Sequence, residues 1–227
     1  MRPAVVLLSG GLDSATCLAW ARREGYSAHA LTVNYGQRHA IEVERATALA
    51  GHLGAASHRI LAIDLSFLSG SALTDRTVAV PKARSGVEMG SGVPATYVPA
   101  RNTVLLALAM AWSESLGGRD LVIGVNAVDF SGYPDCRTDF LRAFETLAGC
   151  ATKSGTEGEA WRIHAPLVDL SKAEIVRRAV DWGVPYAATI SCYDPGVSGA
   201  PCGTCDACLI RARGFREAGV EDRTFDR

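Results

Sequence analysis

The sequence of 227 residues lacks an excess of charge of either sign. It has 23 Lys and Arg against 24 Asp and Glu, which gives a net charge of −1 at pH 7. Because this balance provides no long-range attraction to a polyanion, nucleic acid and anionic membranes are not the expected partners. The sequence also lacks a run of about 18 uncharged apolar residues, so we expect no membrane span.

Signals for export are missing as well. The chain begins Met1-Arg2-Pro3 and enters an apolar run without a cleavable signal pattern, so we expect a cytoplasmic protein. Its seven cysteines make an odd count, and four of them lie between positions 192 and 208. In a reducing compartment such a cluster is more typical of a metal site than of disulfides.

The turn that follows the first apolar run lacks two common phosphate-binding signatures. It reads S-G-G-L-D-S from Ser9 to Ser14, without the lysine of G-x-x-x-x-G-K-[ST] and without the three spaced glycines of G-x-G-x-x-G. Glycines still let backbone N–H groups turn inward, and the start of a helix adds partial positive charge. The turn is therefore a candidate anion site.

A carboxylate within this turn needs an explanation. Asp13 would be repelled by a bare phosphate, so its presence favours a metal ion beside the phosphates, and Mg²⁺ is the metal that fits oxygen ligands there. The alternative is a tight strand-to-helix turn in which Asp13 and Ser14 only cap the helix.

The remaining pattern alternates strands and helices. We predict strands over 4–8, 28–34, 59–65, 121–125 and 161–165, and helices over 13–23, 40–53, 103–116 and 139–148. A further helix begins at the capping box Ser171-Lys172-Ala173-Glu174 and runs to about residue 182. This order predicts an α/β fold with a parallel sheet flanked by helices. Ligands then bind beyond the carboxyl ends of the strands, where the opening turn lies.

Two segments interrupt this pattern. Residues 66–94 are rich in Gly, Ser and Pro, which predicts a mobile lid or a disordered insertion within an α/β domain that spans 1–190. Residues 191–227 form a separate C-terminal segment, in which Cys192, Cys202, Cys205 and Cys208 follow the spacing C-x9-C-x2-C-x2-C. Four thiolates at such spacing suit a structural Zn²⁺. Redox-active thiols and an iron–sulfur cluster remain alternatives.

Loops in the middle of the chain supply further candidate groups. Arg101 lies just before an apolar helix, where it can grip a carboxylate or phosphate, and Asn102 can cap that helix. Further on, Phe130 or Tyr133 suits stacking on a flat heterocycle, and Asp135 suits the N1–H and amino group of a guanine-like ring. A surface arginine and an ordinary turn are the alternatives.

The string S-G-G-x-D-S after a first strand resembles the pyrophosphate-binding loop of the PP-loop enzymes, the N-type ATP pyrophosphatases. S-G-G-L-D-S, Y-G-Q-R-H, V-P-A-R-N, S-G-Y-P-D-C-R and the cysteine tail occur in this order along the chain. Together they resemble the 7-cyano-7-deazaguanine synthase family, over nearly the whole chain. The resemblance implies a Rossmann-like, adenine nucleotide alpha-hydrolase-like fold with a zinc-binding C-terminal segment.

The resemblance also implies a reaction and the residues that serve it. The substrate would be 7-carboxy-7-deazaguanine, ammonia the nitrogen donor, ATP the activating co-substrate, and the assembly a homodimer. ATP would bind at Leu8, Ser9, Gly10, Gly11, Leu12, Asp13 and Ser14. Catalytic roles would fall to Asp13, Ser14 and Arg101. Substrate contacts would come from Arg101, Asn102, Phe130, Tyr133, Asp135 and Arg137.

Two other functions stay open. A tRNA-modifying PP-loop enzyme, either a thiolase or a lysidine-type ligase, would share the turn and the cysteines. A thiolase needs a reactive thiol, and Cys136 is its one candidate within a site loop. The near-neutral charge and the lack of an RNA-binding domain argue against this alternative. A zinc-stabilised nucleotide-sensing module would bind ATP without turnover.

Overall fold

Five parallel strands form the centre of the protein. The computed structural model describes residues 1–36, 41–89, 92–126, 132–196 and 198–225. The strands pair in the order β3-β2-β1-β4-β5, and every pairing is parallel. They are β1 Pro3–Leu7, β2 Ser27–Asn34, β3 Ser57–Ala62, β4 Asp120–Val122 and β5 Arg162–His164. The predicted fold class is therefore confirmed.

Helices cover the sheet and continue into the C-terminal segment. They are α1 Leu12–Arg23, α2 Ile41–His52, α3 Gly86–Met89, α4 Arg101–Ser115, α5 Thr138–Ala151, α6 Lys153–Thr156, α7 Lys172–Asp181 and α8 Asp206–Ala218. Short 3-10 turns lie at Pro134–Cys136, Tyr186–Ala188 and Arg223–Phe225. Among the described residues, no helix combines the length and the apolar character needed to cross a membrane.

The core lies in two layers, one on each face of the sheet. Successive residues of β1 point to opposite faces, so Val6 packs in one layer and Val5 in the other. The first layer includes Leu18 of α1, Ile175 of α7 and Phe215 of α8. The second layer joins the sheet to α4 and α5, with buried residues that include Leu106, Leu121 and Phe144. Both faces of the sheet are therefore covered by helices.

The strand order places a crevice beside β1. From β1 the chain moves outward to β2 and β3 on one side, and β4 and β5 occupy the other side. Such a switch point opens a crevice beyond the carboxyl ends of the two central strands, where α/β proteins bind ligands. The turn after β1 and the loop after β4 meet there.

Two strands, β3 and β4, differ from the prediction by more than one residue at an end. β4 ends at Val122 rather than 125, because Gly124 passes close to the turn: a Cβ at Gly124 would lie 3.2 Å from the backbone nitrogen of Ser14. β3 spans 57–62 rather than 59–65, although the Ile63 amide still donates to Asn34 at 2.8 Å. The capping box at Ser171 is present as predicted.

The start of α4 also differs. The helix begins at Arg101, and Ala100 before it adopts φ +53°. The prediction that Asn102 caps this helix is wrong: the Asp135 carboxylate accepts the Asn102 amide N–H at 2.9 Å and satisfies a donor of the first turn. The helix is also only partly buried, since Ala107 and Ala111 are exposed.

Candidate functional site

A cavity of about 330 Å³ opens at the carboxyl ends of the central strands. One wall is the turn after β1, and a second wall is the loop from Ile123 to Asn126 after β4. The segment from Ile190 to Tyr193, at the start of the cysteine tail, forms a further wall. The cavity therefore joins the opening turn and the cysteine segment, which are far apart in sequence.

The turn from Ser9 to Ser14 is held by its own hydrogen bonds and by α2. The Ser9 amide donates to Ser14 Oγ at 3.1 Å, and Ser14 Oγ donates to the Gly11 carbonyl at 3.0 Å. Gly10 has φ +86°, and a Cβ there would lie 2.6 Å from the Glu42 carbonyl oxygen. Within the described part of the chain, no side-chain capping hydrogen bond is present at Gly11, the N-cap of α1. Its N–H groups are therefore available to an anionic ligand.

A lysine reaches the turn from a distant element. Lys172, the first residue of α7, places Nζ 2.8 and 2.7 Å from the two carboxylate oxygens of Asp13. Both side chains line the cavity. Gly214 of α8 makes room for this lysine, since a Cβ at Gly214 would lie 2.3 Å from Lys172 Cγ. The turn from Ser9 to Ser14 has no cationic residue of its own, and Lys172 places one beside it.

Sequence reasoning missed Lys172 because the two partners lie 159 positions apart. The capping box locates the lysine at the start of a helix, but no local pattern indicates which loop that helix end faces.

Arg101 lies in an aromatic wall of the cavity. Its Nη1 donates to the Tyr35 hydroxyl at 3.4 Å, and its guanidinium carbon is 5.9 Å from the centre of the Tyr35 ring. Tyr133 lines the same cavity and is fixed by a 2.6 Å hydrogen bond between its hydroxyl and Thr96 Oγ1. Burial raises the pKa of both tyrosines, so their hydroxyls stay neutral at pH 7. The arrangement can hold a planar anionic molecule between a cation and aromatic rings.

The other predicted substrate residues are placed differently from one another. Asn102 lines the cavity, and its Nδ2 donates to the Asp135 carbonyl at 2.9 Å. Asp135 is buried behind it, with a carboxylate oxygen engaged by the start of α4, and Arg137 is exposed. Neither of these last two belongs to the described lining of the cavity. Phe130 lies outside the described residues, so its predicted contact stays a prediction.

Cys136 lines the cavity as a buried thiol. It accepts a 3.4 Å hydrogen bond at Sγ from Asn102 Nδ2. Burial and the nearby Asp135 carboxylate raise the pKa of Cys136 to about 11, so the thiol is protonated at neutral pH. Because the thiolate is the reactive form of cysteine, this environment does not suit a sulfur-transfer nucleophile.

The four cysteines of the tail converge in a cluster that could hold a metal ion. The Sγ atoms of Cys192, Cys202, Cys205 and Cys208 all lie within 4.8 Å of one another. The distance from Cys205 Sγ to Cys192 Sγ is 4.0 Å. A tetrahedral zinc with Zn–S bonds of 2.3 Å separates its sulfurs by about 3.8 Å, so this spacing suits zinc.

Backbone amides prepare the sulfur atoms for a metal. The Cys202 amide donates to Cys192 Sγ at 3.2 Å, and the Cys205 amide donates to Cys202 Sγ at 3.3 Å. The Tyr193 amide reaches Cys205 Sγ at 3.4 Å. Such donors favour the thiolate form that a metal binds. The residues present therefore fit a closed, all-sulfur structural site.

The segment 66–94 packs on this cysteine cluster. Ala83 donates its amide to the Thr204 carbonyl at 2.8 Å, and Lys82 Nζ lies 2.8 Å from the Asp194 carboxylate. Arg84 forms an ion pair with the buried Asp206 at the start of α8. The part of 66–94 that the structure describes is thus tied to the segment that carries the four cysteines, and its role as a lid stays a prediction.

Comparison with known proteins assigns the family. Over residues 3–219, the chain matches the family described as "Queuosine biosynthesis protein QueC". The chain belongs to this family. A 7-cyano-7-deazaguanine synthase from Anaeromyxobacter sp. (strain Fw109-5) is 63% identical, and the match covers 98% of this chain and 95% of the relative. The 7-cyano-7-deazaguanine synthase of Dechloromonas aromatica (strain RCB) is 56% identical, with 100% and 99% covered.

A solved structure supports the fold. NMN synthetase from Francisella tularensis aligns with a TM-score of 0.50 and 19% identity, over 99% of this chain and 75% of that protein. At this identity the likeness concerns the fold alone. Membership of the QueC family confirms the resemblance read from the ordered motifs. The names of the relatives do not favour the alternative of a tRNA-modifying enzyme.

Proposed function

We propose that the chain converts 7-carboxy-7-deazaguanine and ammonia into 7-cyano-7-deazaguanine at the expense of ATP. The observation that carries the proposal is one cavity that joins the turn from Ser9 to Ser14 to a wall containing Arg101, in a chain 63% identical to a named 7-cyano-7-deazaguanine synthase. A carboxylate must be activated before ammonia can displace an oxygen from it, since hydroxide is a poor leaving group.

The turn serves ATP cleavage between the α- and β-phosphates. The substrate carboxylate attacks the α-phosphate and forms an acyl adenylate, and pyrophosphate leaves toward the N–H groups of the turn and of α1. Lys172 lies beside the same turn and adds positive charge for the leaving group. The carboxylates of Asp13 and Glu42 line the cavity and would face Mg²⁺, which supplies charge neutralisation of the phosphates when bound.

The opposite wall orients the deazaguanine acid. Arg101 is the cation suited to the substrate carboxylate, and Tyr133 is the described aromatic ring suited to the flat heterocycle. Ammonia displaces AMP from the adenylate and gives an amide. A second adenylation, now at the amide oxygen, allows AMP to leave as the C≡N bond forms. One cavity thus performs two activations of the same carbon.

The cysteine segment serves the site as support. Cys192, Cys202, Cys205 and Cys208 would hold one structural Zn²⁺, with no ligand position left for substrate. Since Ile190 and Tyr193 flank the first of these cysteines and line the cavity, the metal-bound segment fixes one wall.

Assembly as a homodimer in the cytoplasm completes the proposal. Helix α4 carries apolar residues around its whole circumference, with Ala107 and Ala111 exposed and Leu108 and Trp112 half-buried. A helix of this kind is normally covered on all sides, and a second copy would cover it. Light scattering should give twice the chain mass of 24.0 kDa.

The seven unpaired cysteines are consistent with a reducing compartment.

Isotope-labelled ammonia tests the proposed reaction. Purified protein with ATP, Mg²⁺, 7-carboxy-7-deazaguanine and ¹⁵N-ammonia should release 7-cyano-7-deazaguanine with ¹⁵N in the nitrile, read by mass spectrometry. ATP binding without a labelled product would instead support the nucleotide-sensing module. Turnover with a tRNA substrate and none with the deazaguanine acid would support the tRNA-modifying alternative.

A further inference from the structure

One buried arginine at the cavity wall has no role in the proposed chemistry. Arg211 of α8 lines the cavity, yet its side chain is only 3% exposed. A buried cation without partners carries a large desolvation penalty, so its position depends on the groups around it. These groups come from two different segments of the chain.

The first group lies at the C-terminal end. Asp222 accepts from Arg211 Nε at 2.6 Å and from Nη2 at 3.0 Å, a two-point ion pair. Thr224 Oγ1 accepts a further bond from Nη2 at 2.7 Å. We call Asp222 and Thr224 the C-terminal clasp. Both follow residue 219, where the match to the QueC family ends.

The second group of partners lies in residues 186–191, next to the cavity that is proposed to bind ATP. Arg211 Nη1 donates to Thr189 Oγ1 at 2.9 Å and to Ser191 Oγ at 3.4 Å. Nη2 also donates to the Tyr186 carbonyl at 3.0 Å. A single guanidinium therefore joins the clasp to residues 186–191.

Residues 189–191 contact the turn from Ser9 to Ser14 and support it. The Ile190 amide donates to the Gly10 carbonyl at 3.0 Å. The Ile190 carbonyl oxygen also lies 3.3 Å from where a Cβ of Gly11 would stand, so the two backbones are in close contact. A shift of Thr189 or Ile190 would therefore displace the glycines that are proposed to hold pyrophosphate.

We infer that Arg211 is a positioning residue for the ATP site, held in place by the C-terminal clasp. It acts through residues 189–191 and does not itself touch the phosphates. The inference rests on the proposed function in one respect, namely that the turn binds ATP. A purely structural arginine would contribute to stability without a selective effect on nucleotide affinity.

Arg211→Lys tests this role while keeping the charge beside Asp222. A lysine carries its donors on a single nitrogen and cannot bridge Asp222 and Thr189 as the planar guanidinium does. We expect the Kd for the α,β-methylene analogue of ATP to rise about tenfold, because the wall of the turn loses its support. The affinity for 7-carboxy-7-deazaguanine should not change. Isothermal titration calorimetry of the full chain measures both.

Two further variants complete the experiment. Arg213→Lys makes the same replacement on the same helix, at a side chain that is 42% exposed, and should bind the analogue like the original protein. Thr189→Val keeps the ion pair but removes the 2.9 Å link to the segment, and should weaken analogue binding about threefold. If Arg211→Lys does not fold, the analogue affinity of Thr189→Val decides whether Arg211 has the positioning role.

The outcomes distinguish the positioning role of Arg211 from the proposed function. Unchanged analogue affinity in both Arg211→Lys and Thr189→Val, with only a lower melting temperature, would overturn the positioning role. Equal losses of affinity for the analogue and for the deazaguanine acid would overturn it too. Failure of the unaltered protein to bind the analogue would instead refute the proposed function.

Discussion

The turn from Ser9 to Ser14 and the cysteine segment border the same cavity, but they are stabilised in different ways. The turn from Ser9 to Ser14 follows β1 and includes the first residues of α1, which are both core elements, and its shape follows from backbone geometry. In the cysteine segment, residues 192–208, three of the cysteines pack with Ala72, Val80 and Ile190 in a small apolar cluster. We therefore expect its shape to depend on the four sulfur atoms and on the zinc that they are proposed to bind.

Substitutions in the two regions should therefore have different effects. Changes in the turn should affect chemistry or local strain while the sheet stays folded. Changes in the cysteine segment should affect one wall of the cavity as a unit, because a metal site forms or fails cooperatively. Each of the following predictions tests one side of this distinction.

The largest expected effect is the loss of the metal. Structural zinc can supply folding energy on the order of 10 kcal/mol, so Cys205→Ser should release zinc and disorder the cysteine segment. We expect activity to fall below detection and proteases to cut within 192–208, while circular dichroism retains the signal of the sheet and its helices. Zinc content by mass spectrometry and limited proteolysis measure this.

The control for metal loss is Cys150→Ser, an exposed cysteine outside the cluster, which should keep zinc and activity. Full activity in a zinc-free protein would contradict the supporting role of the metal. Iron and visible absorbance in the purified protein would indicate an iron–sulfur cluster instead.

Asp13→Asn should have the next largest effect, and on chemistry alone. The change removes the carboxylate that pairs with Lys172 and faces the proposed Mg²⁺, so we expect kcat to fall by about 10²–10³. The melting temperature should change little, since Asp13 is partly exposed. Steady-state kinetics with a thermal melt distinguish the two effects, and Glu24→Gln at the exposed end of α1 is the control. Near-normal turnover of Asp13→Asn would refute its assigned role.

Gly10→Ala tests the claim that backbone geometry shapes the turn. A methyl group at φ +86°, 2.6 Å from the Glu42 carbonyl, should lower the free energy of unfolding by about 2–3 kcal/mol. The control Gly51→Ala lies within α2 with open space around it and should stabilise by about 0.5–1 kcal/mol. Denaturant titrations compare them. Equal stability of the two variants would mean that the turn tolerates other backbone shapes.

Lys82→Met should have the smallest effect, on metal retention. Lys82 pairs with Asp194 and interacts electrostatically with Cys202, so its positive charge should offset that of the sulfur ligands. Zinc affinity in competition with a chelator should fall about tenfold, as for other groups that support metal ligands. Lys153→Met removes a lysine that is 83% exposed and should leave the affinity unchanged. Equal zinc affinity in both variants would limit metal retention to the four cysteines.

The difference between local patterns and contacts of distant segments explains how much of the structure the sequence predicts. The strand–turn–helix at Ser9–Ser14 and the cysteine spacing are local patterns, and the structure contains the turn and the sulfur cluster where they were expected. The α/β order follows from hydrophobic periodicity. Contacts between distant segments did not follow from any pattern. Neither the pairing of Lys172 with Asp13 nor the packing of 66–94 on the cysteines has a local signal.

Asp135 illustrates the same limit at a single residue. In sequence it is a carboxylate in a loop dense with aromatics, which favours ligand contact. In the structure its carboxylate accepts the Asn102 amide at the start of α4, a role that depends on how the loop after β4 meets a helix more than thirty positions earlier. Only the three-dimensional contact distinguishes the two uses of a buried carboxylate.

The products of ATP provide the most direct test of the central claim, that the turn releases pyrophosphate from an attack on the α-phosphate. Phosphorus NMR of a reaction with ATP, Mg²⁺, ammonia and 7-carboxy-7-deazaguanine should show AMP and pyrophosphate, two of each for every nitrile formed. ADP and inorganic phosphate as the direct products would contradict the account.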